Sequence, residues 1–360
     1  MKATKKYNFY AGPAILPESV LHQAASAVTN FDNMGLSILE ISHRSPNFTK
    51  VMQDAQLLAK ELTGAGDEFE ALFLTGGASS QFFMTAMNLL NTDETAAYIN
   101  TGTWSTKAIK EAKLFGNIVL AASSEDDGYR YIPKQLSNLG NAKYLHYTSN
   151  NTIYGTQYHQ LPDTTLPLIG DLSSDIFSRP VDLNRHAVIY AGAQKNMGPA
   201  GTTLVLVRKD MLGRVKHQIP TLLDYRTHIN KGSMFNTPPV YAVYVSMLTM
   251  RWVAQQGGPE AMASHNSKKA AMLYKEIDNN SLFTGYARKE DRSKMNVTFN
   301  INDETLENAF VEACSEAGIV GIKGHRSVGG FRASIYNAMP VEGVEKLVDV
   351  MQTFSKQHGA

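Results

Sequence analysis

A single lysine, Lys195, stands between two runs of strand-forming residues in "VIYAGAQKNMGPAGTTLVLVRK". Most lysines are solvated surface charges, and that reading stands here too. The setting offers a second one. Gly192, Gly198, Pro199 and Gly201 make the connection a tight, backbone-shaped loop. An ammonium at the ends of buried strands is costly, so a lysine there suits use as an amine, for instance in a Schiff base with a carbonyl cofactor. The motif alone leaves both readings open.

Other residues with chemistry also follow apolar runs directly. After "ALFLT" comes "GGASSQF", two glycines and small residues opening a helix, which offers N–H groups and a positive dipole end to a phosphate, or is simply a tight turn. After "AAYIN", Trp104 fills a core or stacks on a flat heteroaromatic ring. Asn150, Asn151 and Thr152 after "YLHYTS" bind a ring substituent or cap a loop. Asp171 after "LPLIG" is a helix N-cap or the partner of a buried positive charge. In an open parallel sheet, ligands bind outside the carboxyl ends of the strands. A phosphate cradle, an indole, a carboxylate and an amine on one edge together describe a pyridoxal phosphate site. The aldehyde needs the amine, and the pyridinium nitrogen needs the anion.

These residues require a sheet to position them. The spacing predicts helices over Glu18 to Thr29 and from about Asn47 to Leu62, closed by Gly64. Short apolar strands then alternate with helices, pointing to an α/β domain whose mostly parallel sheet is covered on both faces. From Gly258 the order becomes helix, strand, helix, strand, helix, a smaller α+β domain. The expected divisions are an extended segment 1–16, a large domain 17–257 and a small domain 258–360.

The chain's 360 residues suffice for two such domains, and its net charge of +1 favours neither nucleic acid nor an anionic membrane. Cys314, the sole cysteine, rules out an intrachain disulfide framework. The basic N-terminus is interrupted by Gly12 and Pro13 before an apolar run of signal-peptide length, and no stretch has the apolar length of a membrane span. A cytoplasmic protein without a metal site is expected.

Longer segments resemble the phosphoserine aminotransferase family, in the class V branch of fold-type I pyridoxal phosphate enzymes. They are "YNFYAGPAILP", "SHRS", "GGASSQF", "DLSSDIFSRPVDLNRHAVIYAGAQKNMGPAG", "FNTPPVYAVY" and "GHRSVGGFRASIYNAMP". The resemblance implies amino transfer between glutamate and 3-phosphohydroxypyruvate in serine biosynthesis and, as in some relatives, formation of 4-phosphohydroxythreonine for vitamin B6. It implies that Lys195 forms the Schiff base and shuttles the proton, Asp171 pairs with the pyridine nitrogen, Trp104 stacks on the ring and Thr152 contacts the ring hydroxyl. Ala78, Ser79 and Gln194 would hold the cofactor phosphate together with Asn236 and Thr237 of a partner in a homodimer with shared sites. His43 and Arg44, with His325 and Arg326 from the partner, would grip the substrate phosphate, and Arg332 the carboxylate; guanidinium forks match both. Ser79 stands where some members carry an arginine, which leaves open what supplies that charge.

Three rivals share the fold. A cysteine desulfurase needs a reactive cysteine on a mobile loop, whereas Cys314 falls in a predicted helix. A class V aminotransferase for an unphosphorylated acceptor would not need the paired His-Arg motifs. A catalytically dead binding module would not need Lys195 and Asp171.

Overall fold

The computed structural model describes residues 6–358. Residues 1–5 of the expected extended segment, and 359–360 of the expected small domain, lie outside the described residues. Runs of apolar and β-branched residues form a seven-stranded sheet. In spatial order its strands are Phe69–Leu74, Thr203–Arg208, His186–Gly192, Leu168–Asp171, Leu145–Thr148, Thr95–Asn100 and Asn117–Ser123. The central ones are buried along their length, as strands covered on both faces must be.

All strands but one run the same way. Thr203–Arg208 is antiparallel to both neighbours, because the short loop joining it to His186–Gly192 permits only a hairpin-type return, whereas parallel strands need a long crossover. That loop carries Lys195. The carboxyl ends of the parallel strands share one edge, which brings Asp171, the Lys195 loop, Trp104 and the glycine-rich turn to the same side of the sheet.

Helices cover both faces. Pro46–Thr63 starts at Ser45, whose side chain accepts from the Phe48 amide, and ends at Gly64 with φ +68°, a left-handed cap that favours glycine. Its buried Phe48, Met52, Ala55, Ala59 and Leu62 recur at helical spacing. With Val243, Leu248 and Met250 of the helix Val240–Gln255 they belong to one core. The helices Gly77–Leu89 and Thr103–Ala112 close a second core on the other face.

A third core surrounds an antiparallel sheet of Phe283–Gly285, Asn296–Ile301 and Phe331–Ser334. The helices Gly258–Asn279, Glu307–Glu316 and Val341–His358 pack on it through Leu273, Phe310 and Leu347. The sequence pattern does not mark the short strand Phe283–Gly285. The N-terminal segment belongs structurally to this third core. Tyr7–Asn8 pairs in parallel with Ile319–Val320, and Phe9 is fully buried there. The segment then crosses to the Lys195 loop, where the Ala14 amide donates to the Gln194 carbonyl at 2.9 Å.

Candidate active site

The loop after His186–Gly192 folds back on itself. The Ala193 amide donates to Thr202 O, and the amides of Met197 and Gly198 both donate to Ala193 O. A side chain at Gly198 would collide with the backbone and side chain of Ser246, so only glycine permits this close approach. Lys195 is recessed at the turn, and a Cβ at Gly12 would come within 3.3 Å of its stem. Burial pushes the Lys195 ammonium below the usual lysine range, and the Asp171 carboxylate opposes that shift.

No helix follows Asp171, so it does not cap one. Its Oδ1 instead accepts from the Ser173 hydroxyl at 2.6 Å and the Ser173 amide at 3.0 Å, while Ser173 Oγ also accepts from the Gly192 amide at 3.1 Å. Burial raises the carboxyl above its ordinary range; Lys195 and the Ser173 bonds act against that. The site thus holds a buried acid and a half-buried amine, each favouring the other's charged form.

Trp104 lies in the first turn of Thr103–Ala112, after Gly102. Its Nε1 donates to Thr152 Oγ1 at 3.1 Å, which fixes the plane of the indole. Lys195 Nζ is 4.9 Å from the centroid of that ring. At the glycine-rich turn, Gly76 and Gly77 have φ of +98° and +66°, and the helix Gly77–Leu89 starts there with no side-chain cap at Gly76. A Cβ at Gly192 would meet Gln194 Oε1 at 3.1 Å and Ala78 N at 3.5 Å. A carboxamide and a backbone N–H therefore converge on a space kept open by glycine. Ser79 is exposed beside it.

Arg332, on Phe331–Ser334, donates from Nη1 to Thr152 O at 3.1 Å, and its buried Nε has no hydrogen-bond partner among the described residues. An unpartnered guanidinium N–H in a recess is suited to a carboxylate. His325 and Arg326 sit on the hairpin that leads into the same strand, closed by Gly324 N donating to Gly330 O at 2.8 Å. Burial, then the fields of Arg332, Arg326 and Lys107, hold His325 below the usual histidine range. The resemblance assigned His325 and Arg326 to the neighbour's site. Within one chain, the short hairpin keeps His325 near Arg326 and Arg332, whose charges act on it.

His43 and Arg44 precede the helix Pro46–Thr63 and have no hydrogen bond or ion pair to Lys195, Asp171 or Arg332 among the described residues. His43 Nε2 is buried without a partner among these residues, and Arg44 is exposed. Asn236 lines a cavity of about 170 Å³ with Gly76 and Ser80, and Thr237 beside it is exposed. Cys314 is fully buried in the third core, where burial pushes its thiol up to about 12. It therefore has neither the mobility nor the acidity that a desulfurase nucleophile requires.

Sequence reasoning missed several residues. Ser173 was legible only as one of two serines after Asp171. Asn196, buried next to Lys195, donates to Ile176 O at 2.6 Å and accepts from the Asn337 amide at 2.9 Å. Lys269, also buried, donates to the carbonyls of Ile335, Tyr336 and Met339 at 3.0, 2.7 and 3.0 Å, holding the turn that carries Asn337.

The family model for class-V aminotransferases matches residues 6–347. The phosphoserine aminotransferase of Flavobacterium johnsoniae is 55% identical over 354 residues, covering 98% of this chain and 99% of that protein. Among solved structures, phosphoserine aminotransferase from Bacillus circulans subsp. alkalophilus superposes with a TM-score of 0.95 at 46% identity, over 99% of this chain and 100% of that one. The pyridoxal-phosphate-bound phosphoserine aminotransferase from Trichomonas vaginalis gives 0.91 at 37% identity, over 97% and 100%.

Proposed function

The chain belongs to the class-V aminotransferases, and from that premise we propose that it transfers the amino group of glutamate to 3-phosphohydroxypyruvate, reversibly, giving O-phospho-L-serine and 2-oxoglutarate. The observation that carries this reading is the surplus of positive charge around Arg332. Its buried Nε lacks a partner among the described residues, and His325 and Arg326 stand on the adjoining hairpin. An α-carboxylate needs one guanidinium; the second guanidinium, Arg326, with the His325 imidazole as a hydrogen-bonding neighbour, suits a second, more highly charged anion.

Pyridoxal phosphate fits the residues present. The space beside Gly192, between Gln194 and the Ala78 amide, suits its phosphate, and the face of the Trp104 indole, with Lys195 Nζ 4.9 Å from its centroid, suits stacking of its ring. When bound, this cofactor supplies an electron sink for the substrate's α-carbon. Ala78, Ser79 and Gln194, with Asn236 and Thr237 across a homodimer, would hold the phosphate. Asp171, oriented by Ser173, would pair with the ring nitrogen and keep it protonated. Thr152 accepts from the Trp104 indole, which leaves its own hydroxyl proton free to donate to the oxygen of the ring's hydroxyl substituent when the cofactor is bound.

Arg332 orients the α-carboxylate, anchored through Thr152 O. Lys195 Nζ, with its basicity lowered by burial, takes the proton from the α-carbon and returns it in the opposite half-reaction. His325 and Arg326 engage the phosphate. His43 and Arg44 join them from the neighbouring subunit, since the chain's own fold leaves Arg44 exposed and His43 Nε2 unpaired among the described residues. This reading makes the protein a homodimeric cytoplasmic enzyme of serine biosynthesis with pyridoxal phosphate as cofactor, and extends to 4-phosphohydroxythreonine as a substrate.

The test is a single turnover. Holoenzyme mixed with phosphoserine in the absence of 2-oxoglutarate should release about one 3-phosphohydroxypyruvate per subunit, and adding 2-oxoglutarate should restart turnover and yield glutamate. Absence of product from phosphoserine, with turnover of an unphosphorylated donor, would assign the chain to another class-V activity.

A further inference from the structure

Lys107 follows Trp104 by three residues on Thr103–Ala112, a spacing that puts both side chains on one face of the helix. Its Nζ is 5.0 Å from the centroid of the Trp104 ring, the ring that also lies 4.9 Å from Lys195 Nζ. Thr152 ties this indole to Arg332, taking the indole N–H on its hydroxyl and the guanidinium on its carbonyl. Lys107 is exposed, and among the described residues no carboxylate lies within ion-pair distance of it. Its charge nevertheless reaches the hairpin, since it is one of the groups that disfavour protonation of His325. The glycine-rich turn "GGASSQF" offers Ser79 and no cation.

We propose that Lys107 is a further substrate-binding residue, whose ammonium pairs with the phosphate of the substrate at the mouth of the pocket. This inference rests on the reading given under Proposed function and adds a specificity-determining residue to it. A phosphate monoester carries roughly −1.5 to −2 charges at neutral pH. A lysine serves such a group as a mobile point charge with three donors, needing no fixed fork, which suits an exposed position over an indole. The contact is lost for substrates without a distal anion.

The experiment compares holoenzyme carrying Lys107→Met, which keeps the stem against Trp104, with Lys107→Arg and the unsubstituted protein. Lys107→Met should lower kcat/KM for phosphoserine by about three- to tenfold, mainly through KM, and weaken inhibition by inorganic phosphate by a similar factor. Glutamate, with a single charge on its distal carboxylate, should lose less, and Lys107→Arg should recover most of the loss. The cofactor's absorption spectrum should stay the same in all three. Activity of Lys107→Met within twofold of the unsubstituted protein would overturn the proposal, as would Lys107→Arg being as impaired as Lys107→Met, which would assign the effect to packing. The unsubstituted protein is assayed in parallel with phosphoserine and serine. If it uses both equally, the phosphate-specific reading falls and the role of Lys107 with it. If it prefers phosphoserine while Lys107→Met is unaffected, the role of Lys107 alone falls.

Discussion

The backbone amide of Asn337 donates to the side-chain oxygen of Asn196 at 2.9 Å, so the residue after Lys195 is fastened to the turn that follows the small sheet's strand Phe331–Ser334. The two side chains extend the connection: Asn337 Nδ2 donates to Phe177 O, and Asn266 donates to Asn337 Oδ1. Both asparagines are buried, so removing one leaves its partners unpaired without water to replace it.

Asn196→Ala should therefore cost about 1–3 kcal/mol of stability. It should also reduce kcat at least about tenfold at temperatures where the variant is fully folded, because the Lys195 loop loses its anchor. Thermal unfolding and kcat measured on the same preparation check this. Full activity with lowered stability would make the contact structural only.

Asp171→Asn keeps an oxygen able to accept from Ser173 and should leave the fold intact. A neutral amide does not hold a ring nitrogen protonated, so kcat should fall by about two orders of magnitude or more. Circular dichroism and steady-state rates separate the two effects; a variant with near-normal turnover would remove Asp171 from the chemistry.

Because the hairpin carrying Arg326 leads into the chain's own Arg332, mixing inactive Lys195→Ala with Arg326→Ala should restore no activity. Each site of the hybrid would contain one of the two lesions. Mixing Lys195→Ala with Arg44→Ala should restore activity, since Arg44 is proposed to act across the dimer. Subunit exchange is verified by native mass spectrometry of tagged chains. Restoration in the Arg326 pairing would return that residue to the neighbour's site.

Burial pushes Lys269 from an ordinary value of 10.5 down to about 7. Between those values the unfolded chain binds a proton that the folded chain does not, so this group's contribution to stability rises with pH across that window and is lost as pH falls toward 7. Lys269→Met should flatten this part of the stability profile while lowering stability through its three unpaired carbonyls. Parallel profiles from pH 7 to 10 for the two proteins would show that the ammonium stays charged among its carbonyls.

What was legible in the sequence was local. Short apolar strands ending in Asp171 and in the Lys195 loop stand out because the residues that build the strand and the residue that ends it are neighbours in the chain. Ser45 and Gly64 mark the helix Pro46–Thr63 for the same reason. The antiparallel direction of Thr203–Arg208 follows from its short connection. Contacts between distant segments were not legible. A helical lysine such as Lys269 reads as a solvated charge until the turn 335–339 is brought against it, and Tyr7–Asn8 has no local sign of its partner Ile319–Val320.

Selection of a phosphorylated substrate is proposed to rest on the cations around Arg332. The most direct measurement is kcat/KM of the holoenzyme for phosphoserine, serine, alanine and aspartate as amino donors to 2-oxoglutarate, at matched concentration and ionic strength. Several charge-assisted contacts of roughly 1.5–3 kcal/mol each should favour phosphoserine over serine and alanine by about a hundredfold or more. Aspartate should fall between, since its side chain carries a single charge on a shorter reach. Rates with serine, alanine or aspartate equal to or above the rate with phosphoserine would contradict the claim.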